Sequence, residues 1–462
     1  GNFQQNYTYD GLNRITRIRY PQDVNGNRKN LFPTYNKAGV LESVKFDGTT
    51  YVENIAYNAR GQRVLLALGN GMMTRYAYSA QTFRLERIKT EGYAYTASGQ
   101  MHTYAPQSGT TRQDVGYSYD LTGNILKISN RVSDCGISGT SDGVDALDRL
   151  FSYDPINRLL AATGRESNAQ TASYLWADAP VPASPNANNV RAYTRTYSYD
   201  KLGNVNRLVH AASGNNFTRH FNYNAGTNTA ASIDDDGAPA STIGSFTHDA
   251  CGNQLTSNTT RNYTWDHANR LRAYINQAGT SEPTVYAQYL YDAGGDRVKK
   301  LVRTQGGNYE TVVNIDGLFE YHKKEAGSTY EKNYAHILDN AAAIAQVRFG
   351  TAFPDDISDS VVYIAGNNLD SSSLRFNTTG AVIDREEYYP FGDSSLRTFS
   401  KKRYRYVGKE KDLESGLYYY GARYYAAWTC RFISVDPLAA GFDFYTPFQY
   451  AGNKPIKSID LD

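Results

Sequence analysis

Five residues close to the C-terminal end have the types and spacing that could do chemistry: Arg431, Asp436, Asp443, Asp460 and Asp462. Asp436 lies in "CRFISVDPL", with Arg431 just upstream. Carboxylate cleavage of a peptide bond needs two acids close enough to share one proton. One activates water and the other protonates the carbonyl. Like charges that close bind the shared proton strongly. A nearby guanidinium tunes such a pair or binds the developing oxyanion, the part Arg431 would take. Asp436, Asp443, Asp460 and Asp462 are the acids from which such a pair could be drawn. These Asp residues also have a plainer reading as turn formers, because Asp-Pro and Asp-Leu-Asp both suit turns.

No other chemistry is legible. "GNGMM", Gly69 to Met73, lacks the third glycine and the helix of a dinucleotide fingerprint. There is no G-x-S-x-G and no H-E-x-x-H. The acidic run at Asp234 lacks the spacing and closing Glu of a calcium loop. Cys135, Cys251 and Cys430 lie far apart with no CxxC, so they read as free thiols, buried or half-buried, rather than zinc ligands. His248 and His267 fall at repeat turns and read as structural. No metal and no cofactor is expected. With 48 basic and 46 acidic residues, the charge balance does not suggest a nucleic-acid or anionic-membrane binder. No apolar run approaches the ~20 residues of a membrane span. The chain opens on Gly1 without a signal peptide, so its start reads as processed, truncated or internal.

The elements that would position these residues come from a repeat. "YTYDGLNRITRI" begins at Tyr7 and returns as "YSYDLTGNILKI" from Tyr117, "FSYDPINRLLAA" from Phe151 and "YSYDKLGNVNRL" from Tyr197. Further copies start at Phe246, Tyr263 and Tyr289, and weaker ones lie near Tyr57, Tyr76 and Phe221. The spacing is roughly 20 to 25 residues or about twice that, the range of repeat architectures. Aromatic, polar, aromatic is period-two alternation, which puts both rings on one face of a strand. The Asp or Asn that follows caps a turn, and the Gly or Asn after it accepts positive φ. Each unit therefore predicts a β-hairpin. A lone hairpin cannot bury its aromatic face, but stacked hairpins in one long antiparallel sheet can. The 40 tyrosines and 39 glycines fit that all-β reading. "NYAHILDNAAAIAQVRF", Asn333 to Phe349, reads equally as helix or strand. The segments 134–143, 178–189 and 234–237 read as surface loops.

The repeated "Y-x-Y-D-x-x-G-N/R" resembles the YD repeat of RHS proteins. "NNLDSSSLRFNTTGAVIDREEYYPFGD" from Asn367, "RYVGKEKDLESGLYYYGARYYAAWTCRFISVDPL" from Arg405 and "YAGNKPIKSIDLD" from Tyr450 are similar to the RHS repeat-associated core domain. The resemblance implies a continuous β-strip over residues 1–360 that winds into a hollow shell. Residues 361–462 would be the core domain that closes one end. It implies a secreted or exported bacterial toxin of the toxin-complex C-subunit or Rhs type. Its C-terminal toxic segment would be held inside and freed by self-cleavage. It points to Asp436 as the essential carboxylate, with Arg431 in support and Asp443, Asp460 or Asp462 as partner. A C subunit would need a B-type partner to complete its shell, whereas a full-length Rhs protein closes its own. Two departures stand out: Cys430 occupies a position that is usually Gly, and the chain stops at Asp462 where Gly and then the cleavage point would follow. The alternative is an extracellular adhesion or carbohydrate-binding protein, which would need its tyrosine rows exposed.

Overall fold

A computed structural model describes every residue except 1–2, 99–100, 173–174, 179–185, 237–240, 340–341, 400, 443 and 461–462. The unit at Tyr117 shows how the repeat folds. Strand Gln113–Tyr119 pairs with Ile125–Asn130, with Tyr117 opposite Ile128 and Tyr119 opposite Ile125. Tyr117 is buried, Ser118 is exposed and Tyr119 is half-buried on the same face as Tyr117. The Asp120 side chain closes the turn. Its Oδ1 accepts the Asn124 amide at 2.8 Å, its Oδ2 accepts Asn124 Nδ2 at 2.7 Å, and Gly123 takes φ of 91°. Asp10, Asp154, Asp200, Asp249 and Asp266 make the same Asx turn, with Asn13, Asn157, Gly203, Gly252 and Asn269 in the left-handed position.

The second aromatic ring links one unit to the one before it. Tyr153 donates to the Ile125 carbonyl at 2.8 Å, Tyr199 to Leu159 at 2.6 Å, Tyr223 to Val205 at 2.6 Å and Tyr291 to Leu271 at 2.7 Å. This rung was not legible in the spacing alone. Replacing Tyr199 with Phe removes one such hydrogen bond without changing the ring. It is expected to lower unfolding free energy by about 1 kcal/mol, seen as a lower urea midpoint at unchanged slope.

All the units join one antiparallel sheet of 31 strands, from Asn6–Tyr9 to Ser394–Arg397. Its first strand pairs only with Ile15–Gln22 and its last only with Val382–Tyr388, so the strip does not close into a barrel. One hairpin leaves the meander. Strand Leu85–Ser98 pairs along its first half with both neighbours, and along its second half with Met101–Pro106 alone. The strip curls back on itself: the Tyr20 hydroxyl donates to the His336 carbonyl at 3.0 Å, and Asn70 Nδ2 donates to the Asn377 carbonyl at 3.0 Å. Tyr20, Phe46, Val52, Phe319, Ile337 and Phe376 share the resulting core.

The equivocal stretch from Asn333 resolves as strand, within Ser328–Asp339 and Ala342–Gly350. Its alternation outweighs its alanines because the partners on both sides are already strands. Asp234 and Asp235 are a correction: they end strand Ala230–Asp235 instead of lying in a loop. Asn222 and the Thr242 hydroxyl bond to the Asp234 carboxylate at 2.6 and 2.8 Å, which suits an acid to an exposed sheet face. Cys251 is a second correction, since it is exposed at a turn tip, whereas Cys135 and Cys430 are buried.

Beyond Arg397 the chain turns inward and forms a four-stranded sheet, Glu410–Lys411, Tyr418–Tyr419, Tyr424–Ala426 and Arg431–Phe432. Tyr418, Tyr425, Phe432 and Tyr450 pack with the inner faces of the wall at Tyr117, Phe151, Tyr197 and Phe221. Buried ion pairs fix its seat: Arg297 meets Glu410 and Asp412 at 2.6 Å each, and Lys300 meets Asp412 at 2.7 Å. The tyrosine rows are thus used in packing, and most leading rings of the repeat are buried. Gly416 opens the tyrosine-rich stretch with φ of 73°, and a Cβ there would stand 2.4 Å from the Trp176 carbonyl oxygen. Alanine at 416 adds left-handed strain to a backbone collision. It is expected to destabilise by about 2–5 kcal/mol in chemical denaturation. No helix is long and apolar enough to cross a membrane among the described residues.

Candidate active site

Asp436 sits at the neck of a loop. Its backbone N–H donates to the Pro447 carbonyl at 2.8 Å, so the chain leaves and re-enters at one place. Its two carboxylate oxygens do different work. Oδ1 accepts the Leu438 amide at 2.7 Å, an Asx turn of the kind the Asp-Pro step suggests. Oδ2 faces the Arg423 guanidinium at 3.1 Å. One oxygen thus serves the turn, while the other has a cation beside it.

Asp460 comes to the same guanidinium from the closing segment. Its Oδ1 accepts from Arg423 Nη2 at 2.8 Å, and its Oδ2 accepts the Ala451 amide at 2.8 Å. One nitrogen of Arg423 thus bridges the two carboxylates. Arg423 is almost fully buried, lies 3.7 Å from the Phe432 ring centroid, and projects from the turn between strands Tyr418–Tyr419 and Tyr424–Ala426. The Asp436 side chain is 28% exposed and that of Asp460 16% exposed, so the pair lies at the rim with access to water.

Arg431 turns the other way. Its guanidinium donates to the Asn228 carbonyl and lies 4.9 Å from the Tyr223 ring and 4.5 Å from the Phe448 ring. Burial holds its pKa below the usual value. It fastens the core to the wall, and it forms no ion pair with Asp436 among the described residues. Asp443 and Asp462 lie outside the described residues. Cys430, where the RHS pattern usually has Gly, takes φ of 58°, a left-handed conformation that explains a glycine at that position. Burial pushes its thiol up to about 12, so it carries no thiolate chemistry near neutrality.

Arg423 is the residue that the spacing did not reveal. The signal was present in "GARYY", where one arginine interrupts a run of buried tyrosines. A charge in such a place demands a partner.

No family model matches the chain. It is 31% identical to toxin subunit YenC1 of Yersinia entomophaga, over 98% of its own length and 47% of that protein's. It is 31% identical to toxin subunit YenC2 of the same organism, over 89% of its own length and 42% of that protein's. In the crystal structure of TcdB2-TccC3 the same fold recurs at a TM-score of 0.83 and 25% identity, covering 100% of this chain and 22% of the other. The chain is homologous to these Yersinia toxin subunits and resembles RHS-type toxins. The chain spans less than half the length of those relatives. The Photorhabdus luminescens Tc holotoxin pore matches at a TM-score of 0.82 and 25% identity, over 99% of this chain and 21% of that one. The all-β strip with inward-facing aromatic rows is thus the fold of a toxin-complex shell.

Proposed function

We propose that this chain is the shell-forming part of an exported bacterial toxin subunit, and that it frees an enclosed C-terminal polypeptide by carboxylate-catalysed self-cleavage. The observation that carries the chemistry is the single Arg423 nitrogen shared by Asp436 and Asp460. In this reading one carboxylate takes a proton from water as the oxygen attacks the scissile carbonyl. The other delivers a proton to the leaving amine, so that water adds across the broken C–N bond. Arg423 holds the two acids on either side of one point and offers a donor to the developing oxyanion. Asp460 belongs to the closing Asp-Leu-Asp, beside the expected cleavage point. Tethering then supplies the high effective concentration that lets a modest site act once.

The enclosing role is supported by homology to toxin subunits and by burial of the tyrosine rows. A sugar-stacking surface would need those rows in solvent. A B-type shell subunit is the expected partner, since the matched structures pair TcdB2 with TccC3. The test is expression of the full native chain carrying Asp436→Asn. Uncleaved precursor is expected to accumulate, with wild-type chain yielding a separate C-terminal fragment on denaturing gels. Cleavage of the variant at the wild-type site would remove Asp436 from the mechanism.

A further inference from the structure

Between strands of the wall and the turn that leads into its last strand lies a cavity of about 30 Å³ lined by two buried arginines. Arg195, on strand Val190–Tyr199, and Arg219, on strand Phe217–Tyr223, both line it. They are only 8% and 5% exposed. Arg195 Nε donates to His210 Nδ1 at 3.0 Å, and its guanidinium lies 3.4 Å from the Tyr389 ring centroid. Arg219 Nη2 donates to the Ala172 carbonyl at 3.2 Å. Neither meets a carboxylate at ion-pair distance among the described residues.

Most other buried arginines here do meet one, as Arg165 meets Glu387 at 2.6 Å and Arg405 meets Glu386 at 2.7 Å. Arg261 and Arg431 do not, but each stands alone among aromatic rings with a carbonyl to bond. Arg195 and Arg219 differ because two cations face one cavity. The nearest acids do not neutralise them: Asp178 also lines the cavity, but its carboxylate is taken by Arg405 at 2.7 Å and by Lys411 at 3.1 Å. Glu166 is already engaged by Arg191 at 2.8 Å and by His210 at 3.0 Å, with Asn215 and Tyr389 bonded to it as well. Asp393 lines the same cavity but bonds to neither guanidinium, and burial pushes its carboxyl up. Burial, and then the charge of Arg195, pulls Arg219 down to about 10.

Two planar donor groups lining one small, partly enclosed space are suited to an anion with several oxygens. The volume accommodates a group about the size of two waters, or one tetrahedral oxyanion. We propose that Arg195 and Arg219 form a binding site for a small free oxyanion of the phosphate or sulfate class, which ties the wall to the Tyr389–Ser394 segment. The site is separate from Asp436 and stands whether or not that residue cleaves.

The experiment is thermal unfolding of the full chain with sodium phosphate titrated against sodium chloride at equal ionic strength. A saturable rise in Tm of about 2–4 °C is expected for phosphate alone. Arg219→Met should abolish the rise, and Arg219→Lys should retain part of it. In chloride, Arg219→Met should unfold at or above the wild-type temperature, because an uncompensated buried charge has been removed. A Tm that follows ionic strength only, or an equal phosphate response in Arg219→Met, overturns the proposal. Should that variant not fold, equilibrium dialysis of the wild-type chain with labelled phosphate decides: one ion per chain is expected, and none overturns it. Phosphate binding that vanishes only when the C-terminal polypeptide is present would assign the cavity to an acidic group of that polypeptide, and would also overturn it.

Discussion

Methionine in place of Arg423 is expected to abolish self-cleavage and to destabilise the cleaved fold by about 2–3 kcal/mol near neutral pH. Breaking a buried ion pair from one side generally costs about 3–5 kcal/mol, because the remaining charge is left without compensation. The lower figure applies here because Asp436 and Asp460 keep some contact with water. Methionine preserves much of the side-chain volume against Phe432, so the loss is mainly electrostatic. It removes the guanidinium nitrogen that the two carboxylates share, so their mutual repulsion is no longer offset there. A double-mutant cycle with Asp436→Asn separates this from packing. Removing Asp436 first takes away part of the repulsion, so the two changes should be less than additive by 0.5 kcal/mol or more. Full additivity, or wild-type cleavage by Arg423→Met, would show that the bridge has no part in either stability or chemistry.

That arginine also marks where the sequence stops being legible. The hairpins were readable because each is local: Tyr117, Tyr119, Asp120 and Gly123 lie within one turn and act on one another through backbone geometry. Asp436 was readable as a turn former for the same reason, and its Oδ1 does accept the Leu438 amide. Its cation was not. Arg431 is nearer in the chain, yet strand Arg431–Phe432 directs it toward Tyr223 on the wall. Arg423 reaches Asp436 only because the small sheet folds Tyr424–Ala426 against Arg431–Phe432. The choice of Asp460 depends on a closing segment that returns across the sheet, where the Ala451 amide fixes its second oxygen. The rung from each second tyrosine to the preceding unit was hidden likewise, because its acceptor is a backbone carbonyl that carries no sequence signature.

Mild acid is expected to destabilise the fold through two buried histidines, His322 and His210. Burial pulls His322 down to about 4, with the charge of Arg403 adding to it, and burial likewise brings His210 to about 4 from an ordinary 6.5. Both imidazoles are therefore neutral in the folded chain across the interval in which the unfolded chain takes up protons. The unfolded state binds more protons between pH 6.5 and 4, so stability falls as pH falls through that window. At pH 4.5 the loss should be about 2–3 kcal/mol for each histidine. Glu320 and Glu166 do not share in it. Against the opposing effect of burial, Arg403 and His336 hold Glu320 well below the usual range, and the hydrogen bond and charge of His210 bring Glu166 to about 2. Their own contribution is lost only at lower pH. His210 bonds to Glu166 beside Tyr389, and His322 bonds to Glu320, which also receives Arg403 and Tyr404. His322 thus sits where a wall strand grips the inward-turned segment, and His210 where two stretches of the wall meet. Guanidinium melts at pH 7 and pH 4.5 should show the drop, and His322→Gln should flatten it by about half. Amide exchange at pH 5 should quicken first in 387–394 and 403–411. Equal stability at the two pH values would mean that the unfolded chain gains no proton advantage from these sites, whereas a drop unchanged in His322→Gln would place its source elsewhere in the wall.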